Sequence, residues 1–227
     1  MAHPSNKIDV YLETGKKRTF AGAVDWSGWC RSGRDEQTAL QALLEYGPRY
    51  ARVLQATPLG FQAPTAVTAF NVIERLTGGP TTDFGAPEAV PTRDTQPIDA
   101  DELRRLQTLL KACWQTFDAV AQTASGKELR KGPRGGGREL EGIIQHVREA
   151  ESAYLSRLGG KLKQSETNDL TQAREAVLNT LASAAEGTGP ERGPQGGRHW
   201  QPRYFVRRVA WHGLDHVWEI EARVLAG

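Results

Sequence analysis

Cysteine is nearly absent: Cys30 and Cys113 are the only two in 227 residues. They lie far apart, in segments assigned below to different folding units. No disulfide framework organises such a chain, and a reducing compartment suits it. Long apolar runs are also missing, with no stretch of about eighteen apolar residues to span a bilayer. The opening MAHPSNKIDVYLE has no apolar core of the kind a secretory signal needs. These absences predict a cytoplasmic protein with no membrane partner. Excess charge is lacking too: 29 Lys and Arg against 27 Asp and Glu leave a net +2, too small a balance to argue for nucleic acid. No G-x-x-x-x-G-K-[ST] occurs, so the glycine-rich stretches are not nucleotide P-loops. Asp83-Phe84-Gly85 has a kinase-like spelling, but no ATP loop or H-R-D motif accompanies it, and it reads as loop.

What is present suits a globular protein. Apolar residues make up 38% and charged residues 25%, enough for a core, and the length favours two modest domains. The first, residues 1–95, reads as a small α+β domain in the order β-β-α-β, ending in a linker. Ile8 to Leu12 alternates as a strand, Gly15-Lys16-Lys17 makes a turn, and Thr19 to Val24 returns as the second strand. Asp25 to Gly33 reads as a turn into a helix from about Asp35 to Glu45, which Gly47-Pro48 ends before a further helical turn, Arg49 to Leu54. Thr65 to Arg75 is β-branched and predicts the third strand, and Gly78 to Pro97, rich in Pro, Gly and Thr, predicts a linker. The aromatic-Gly-Cys turn before a helix, within Gly22 to Leu44, resembles small antitoxin-like domains of the HicB type. A purely structural α+β module fits the same residues.

Residues 96–227 read as four amphipathic helices. Asp99 with Glu102 predicts a capping box, and Leu103, Leu106, Leu110, Cys113, Phe117 and Val120 follow the alternation of a bundle helix. A basic glycine-rich loop, KELRKGPRGGGR, leads into a second helix, Glu139 to Leu158, with a seam of Leu140, Ile144, Val147, Tyr154 and Leu158. The adjacent stripe is Ile143, His146, Ala150 and Ala153, which leaves room around the His146 ring. A third helix runs from Asp169 to Ala185 with Gly187 as its stop. Pro202 then opens the fourth at a position that tolerates proline.

The fourth helix carries the chemistry. His212 and His216 are four apart, so both imidazoles leave one helix face, beside an apolar stripe of Val206, Ala210, Gly213, Val217 and Ile220. An imidazole beside a core seam is costly unless something satisfies it. With His146 on the second helix, three neutral imidazoles and an open position suit Zn²⁺, Ni²⁺ or Fe²⁺. The alternative is a pair of half-buried histidines bonded to Asp215, Glu219 or backbone.

A histidine on helix two and H-x-x-x-H on helix four resemble the DinB superfamily of metal-binding four-helix bundles, which includes YfiT-like proteins. The stretches Lys131 to His146 and Arg203 to Arg223 carry the likeness. The resemblance implies a divalent metal on His146, His212 and His216. It also implies a metal-dependent transferase using a low-molecular-weight thiol, or a hydrolase, acting on an anionic or thiol-bearing small molecule. In this scheme Glu219 and Asp215 are partners of the ligand rings or proton relays. Arg208, with Arg203 and Arg207, gathers near the bundle mouth. Arg134 and Arg138 of the glycine-rich loop receive the carboxylates of a thiol cofactor. A non-enzymatic role remains open, with a metal held for stability and the antitoxin-like unit serving a homodimer or a partner protein.

Overall fold

The computed structural model describes residues 7–131, 137–163, 166, 169–188 and 199–225. The chain divides into two compact units, Met1–Gln96 and Pro97–Gly227. An N-terminal four-stranded sheet is followed by helices.

The sheet has the order β3-β2-β1-β4, from β1 (Ile8–Thr14), β2 (Thr19–Ala23), β3 (Cys30–Gly33) and β4 (Phe70–Thr77). β1 and β2 form the expected antiparallel hairpin, β3 adds antiparallel to β2, and β4 lies parallel to β1. The unit is therefore β-β-β-α-β rather than β-β-α-β. Cys30-Arg-Ser-Gly, expected in a turn, pairs with Thr19–Gly22. The last strand is also shorter at its start than Thr65 to Arg75, because Val67–Ala69 is a 3-10 turn.

Helix α1 (Glu36–Leu54) starts at Asp35, whose side chain accepts the Thr38 amide while Thr38 answers the Asp35 amide. It does not stop at Gly47-Pro48 but runs through the proline as one helix of 19 residues. Pro48 removes one helical hydrogen bond. In the preceding turn the Trp29 indole donates to the Leu43 carbonyl at 2.9 Å. Trp29 also stacks on Tyr50 at 5.7 Å and meets Phe61 edge-on at 5.0 Å, so this part of the helix is held from its buried side.

Gly78 to Pro97 is not a plain linker. It contains α2 (Pro80–Phe84) and a 3-10 turn at Thr92–Thr95, and it is tied down by one carboxylate. Glu13, fully buried on β1, accepts from Thr82 Oγ1 at 2.5 Å, the Glu88 amide at 2.9 Å and the Ala89 amide at 3.1 Å. Asp83 of the kinase-like triplet accepts the Lys17 amide at 2.7 Å. A Cβ on Gly15 would come within 2.4 Å of that carboxylate, so a larger residue there would push the Asp83 side chain aside.

The second unit consists of α3 (Ala100–Ala124), α4 (Leu140–Leu158), α5 (Leu170–Ala185) and α6 (Pro202–Arg223). Asp99 caps α3 through the Glu102 amide at 2.8 Å. The Glu102 carboxylate does not close the expected box, because it is drawn to Arg203. The buried side of α4 uses Ile143 and Leu155 in place of Ile144 and Tyr154. α6 packs against both α3 and α4, and every residue from Pro202 to Leu214 is buried. A helix buried all round presents its polar side chains to protein rather than to water. α5 is held more lightly, with Val177 and Leu181 its buried residues.

Candidate metal centre

The three histidines converge. His212 is buried on α6, His216 follows one turn later, and His146 faces them from α4. Ring centroids are 5.0 Å apart for His146 and His212, 5.1 Å for His146 and His216, and 4.7 Å for His212 and His216. One nitrogen from each ring lies within 4.8 Å of the others.

The proton inventory shows what this cluster lacks. The Nε2 atoms of His146 and His212 are 3.1 Å apart. Two such nitrogens need one proton or one cation between them. His216 is fixed differently: its Nδ1 contacts Glu219 Oε2 at 2.7 Å. A carboxylate there selects the Nδ1–H tautomer and leaves Nε2 as a lone pair. Burial pushes the His212 pKa down to about 3, with the charges of His216, His146, Arg208 and Arg138 acting in the same direction. His146 is lowered by burial, then by Arg138 and His216, against the opposing pull of Glu149 and Glu219. Neutral imidazoles are the form that ligates a metal.

The donor set fits a small divalent cation. Metal–nitrogen bonds of about 2.0–2.1 Å in tetrahedral geometry place neighbouring nitrogens about 3.3 Å apart. The 3.1 Å edge is near that value, and the 4.8 Å limit on the rest asks for modest closure. Three histidines this close can hold a metal ion. His212 Nδ1 is buried with no hydrogen-bond partner among the described residues, so its outer nitrogen lacks the support that Glu219 gives His216.

Around this core the other expected residues divide. Glu219 contacts the His216 ring, as its spacing suggests. Its second oxygen accepts from Arg223 at 2.5 Å, and the contacts to His216 and Arg223 hold its carboxyl below the ordinary range. Asp215 is half-buried on α6, but the carboxylate on the His216 ring is that of Glu219. Arg208 is buried, with its guanidinium 5.6 Å from the Tyr154 ring and 5.2 Å from the Trp211 ring. Arg138 is exposed, and its charge is felt at both His146 and His212. Arg134 lies outside the described residues. Arg203 does not join a mouth cluster, because it is buried in an ion pair with Glu102 and also donates to the Pro97 carbonyl at 3.2 Å. Arg207 is likewise buried in α6.

Two residues carry more of the site than their sequence context suggests. Tyr154 lies two turns beyond His146 on α4, with its ring 5.8 Å from His212 and 5.3 Å from Trp200. The i, i+4, i+8 row from His146 would have placed it on the ligand face. Arg223 is four residues beyond Glu219, the spacing of a helical ion pair. A cavity of about 280 Å³ between α4 and α5 is lined by Glu149, Glu151, Leu155, Leu170 and Val177 and does not include the histidines.

Comparison of the chain with family models, with curated proteins and with solved structures finds no match.

Proposed function

We propose that Pro97–Gly227 is a DinB-like four-helix bundle whose three-histidine centre serves a metal-dependent enzyme, with thiol-dependent transfer to or from a small molecule as the leading reaction. The observation that carries this reading is the convergence of His146, His212 and His216 with one nitrogen of each within 4.8 Å. The sequence resemblance supplies the reaction class, which geometry alone does not.

A divalent ion bound here would lower the pKa of a coordinated thiol or water, so that a nucleophile forms near neutral pH. The protein's own part begins with keeping the His212 imidazole unprotonated, which its burial favours. Glu219 holds the His216 ring in one tautomer and orientation. Arg208 and Arg138 put positive charge near the centre, which favours an anionic substrate over a neutral one. Tyr154 offers aromatic surface beside the His212 ring, and Trp200 packs against Tyr154.

A second reading, a metal held for stability, draws on the depth of His212, which is 9% exposed. One experiment separates the two. Elemental analysis of natively purified protein is followed by Co²⁺ substitution and titration with small thiols. The enzyme reading expects stoichiometric metal and a change in the Co²⁺ absorption on adding thiol. Bound metal whose spectrum ignores every thiol supports the structural reading, and protein without metal affinity removes both.

A further inference from the structure

Arg223 makes more directed contacts than a helix-terminal arginine needs. Its Nη1 donates to Glu219 Oε1 at 2.5 Å, its Nε to the Arg130 carbonyl at 3.0 Å, and its Nη2 to the Arg138 carbonyl at 2.8 Å. The guanidinium fork is planar and rigid, so three acceptors in three directions fix its position. The same loop is tied to α6 by backbone as well. The Arg130 amide donates to the Arg223 carbonyl at 2.7 Å, the Leu225 amide to the Glu128 carbonyl at 3.1 Å, and Leu129 bridges to Val224. Arg130 adds a side-chain bond to the Ala222 carbonyl at 2.8 Å.

Gly137 explains part of the glycine-rich sequence. Its φ of +130° disfavours any side chain, and an added Cβ would stand 2.7 Å from Arg223 Nη2 and 3.0 Å from Cζ. The loop backbone therefore lies directly against the guanidinium. From there the contacts continue through Glu219 to the Nδ1 of His216.

We propose that Arg223 is a positioning residue of the metal centre: clamped by the carbonyls of Arg130 and Arg138 and by the close approach of Gly137, it fixes Glu219, which orients the His216 ring. The α3–α4 connection thereby sets metal affinity without touching the metal. This inference rests on the three-histidine reading and goes beyond it, by making a loop with no ligand part of the site.

The test uses the full chain, with Zn²⁺ affinity measured by competition and Co²⁺ absorption as a report on ligand geometry. Arg223→Ala is expected to weaken Zn²⁺ about 10-fold, near the low end for loss of a ligand's hydrogen-bond support. Gly137→Ala, which removes no contact and changes no charge, is expected to weaken it several-fold by displacing the guanidinium. Because both act through one contact, the double variant should bind no worse than Arg223→Ala alone. Arg223→Lys retains the charge but not the fork. It should fall between wild type and Arg223→Ala, and it carries the test if the alanine variant does not fold. ¹⁵N shifts of the His216 ring give a second readout, moving toward a mixed tautomer in Arg223→Ala. Unchanged affinity and ring shifts in Arg223→Ala, or additive losses in the double variant, overturn the proposal while leaving the metal centre standing. A wild-type chain that binds neither ion overturns the three-histidine reading and this inference with it.

Discussion

Glu13 and His212 are both buried polar side chains, one in each unit, and their surroundings differ in kind. Glu13 has a donor for each oxygen and a third to spare, all from one segment, Thr82 to Ala89. His212 has one nitrogen facing another imidazole and the other facing no hydrogen-bond partner among the described residues. A buried group that is fully answered closes a fold, whereas one that is left short is a group the fold holds for something else. The N-terminal unit resolves its polar burial internally. The C-terminal unit retains a deficit where three imidazoles meet.

The sharpest way to break this comparison is to remove each side chain. Glu13→Ala leaves a hydroxyl and two amides of the strap unanswered and should cost roughly 3–5 kcal/mol, because each buried donor loses its acceptor. Its melting temperature should fall by the same amount with or without Zn²⁺. His212→Ala is expected to behave oppositely. Zn²⁺ affinity should drop at least about 100-fold, beyond what loss of a supporting contact produces. The rise in melting temperature that saturating Zn²⁺ gives wild type should vanish. If His212→Ala melts like wild type at every Zn²⁺ concentration, the distinction between the two units fails.

A smaller effect comes from a carboxylate of the C-terminal unit. Glu151 on α4 accepts the Trp114 indole N–H at 2.7 Å, and burial pushes its pKa up to about 7. A carboxyl raised from its ordinary value of 4.5 binds its proton more tightly folded than unfolded. Its contribution to stability is therefore fully present below about pH 4.5 and lost as pH rises through about 7, up to about 3 kcal/mol in all. Glu151→Gln keeps an acceptor for the indole and removes the titration. Denaturant melts should show the variant gaining on wild type between pH 5 and 8, and a constant difference across that range would count against the raised pKa.

The histidine centre was legible because its signal is local. Four-residue spacing puts His212 and His216 on one helix face, and the small residues of the His146 stripe mark where a second helix can approach. The same is true of the helix starts at Asp35, Asp99 and Asp169, whose caps act within three residues. What escaped is what distant parts of the chain decide. β3 is four residues with little alternation, and its strand character comes from pairing with Thr19–Gly22. The apparent linker is ordered by Glu13, which lies 75 residues before Glu88. Arg203, grouped with the mouth arginines by sequence, is taken by Glu102, 101 positions away. Arg223 is hidden for another reason: two of its three acceptors are backbone carbonyls, which every residue has and no motif records.

The smallest expected effect returns to the N-terminal unit and asks whether its internal pairing of polar groups extends to the proline turn of α1. Pro48 deprives the Leu44 carbonyl of its helical donor and crowds the turn before it, and the Trp29 indole donates to the Leu43 carbonyl in that turn. Trp29→Phe keeps a ring against Tyr50, Phe61 and Phe70 but removes that donor and some ring area. It should cost about 2 kcal/mol, of which the hydrogen bond is about 1. If the indole answers an opening made by the proline, Pro48→Ala should close that opening. Trp29→Phe would then cost less in the Pro48→Ala background than in wild type, by about the value of the bond. Equal costs in both backgrounds would mean that Trp29 packs beside the proline turn without answering it, and the N-terminal unit would then carry a polar deficit of its own.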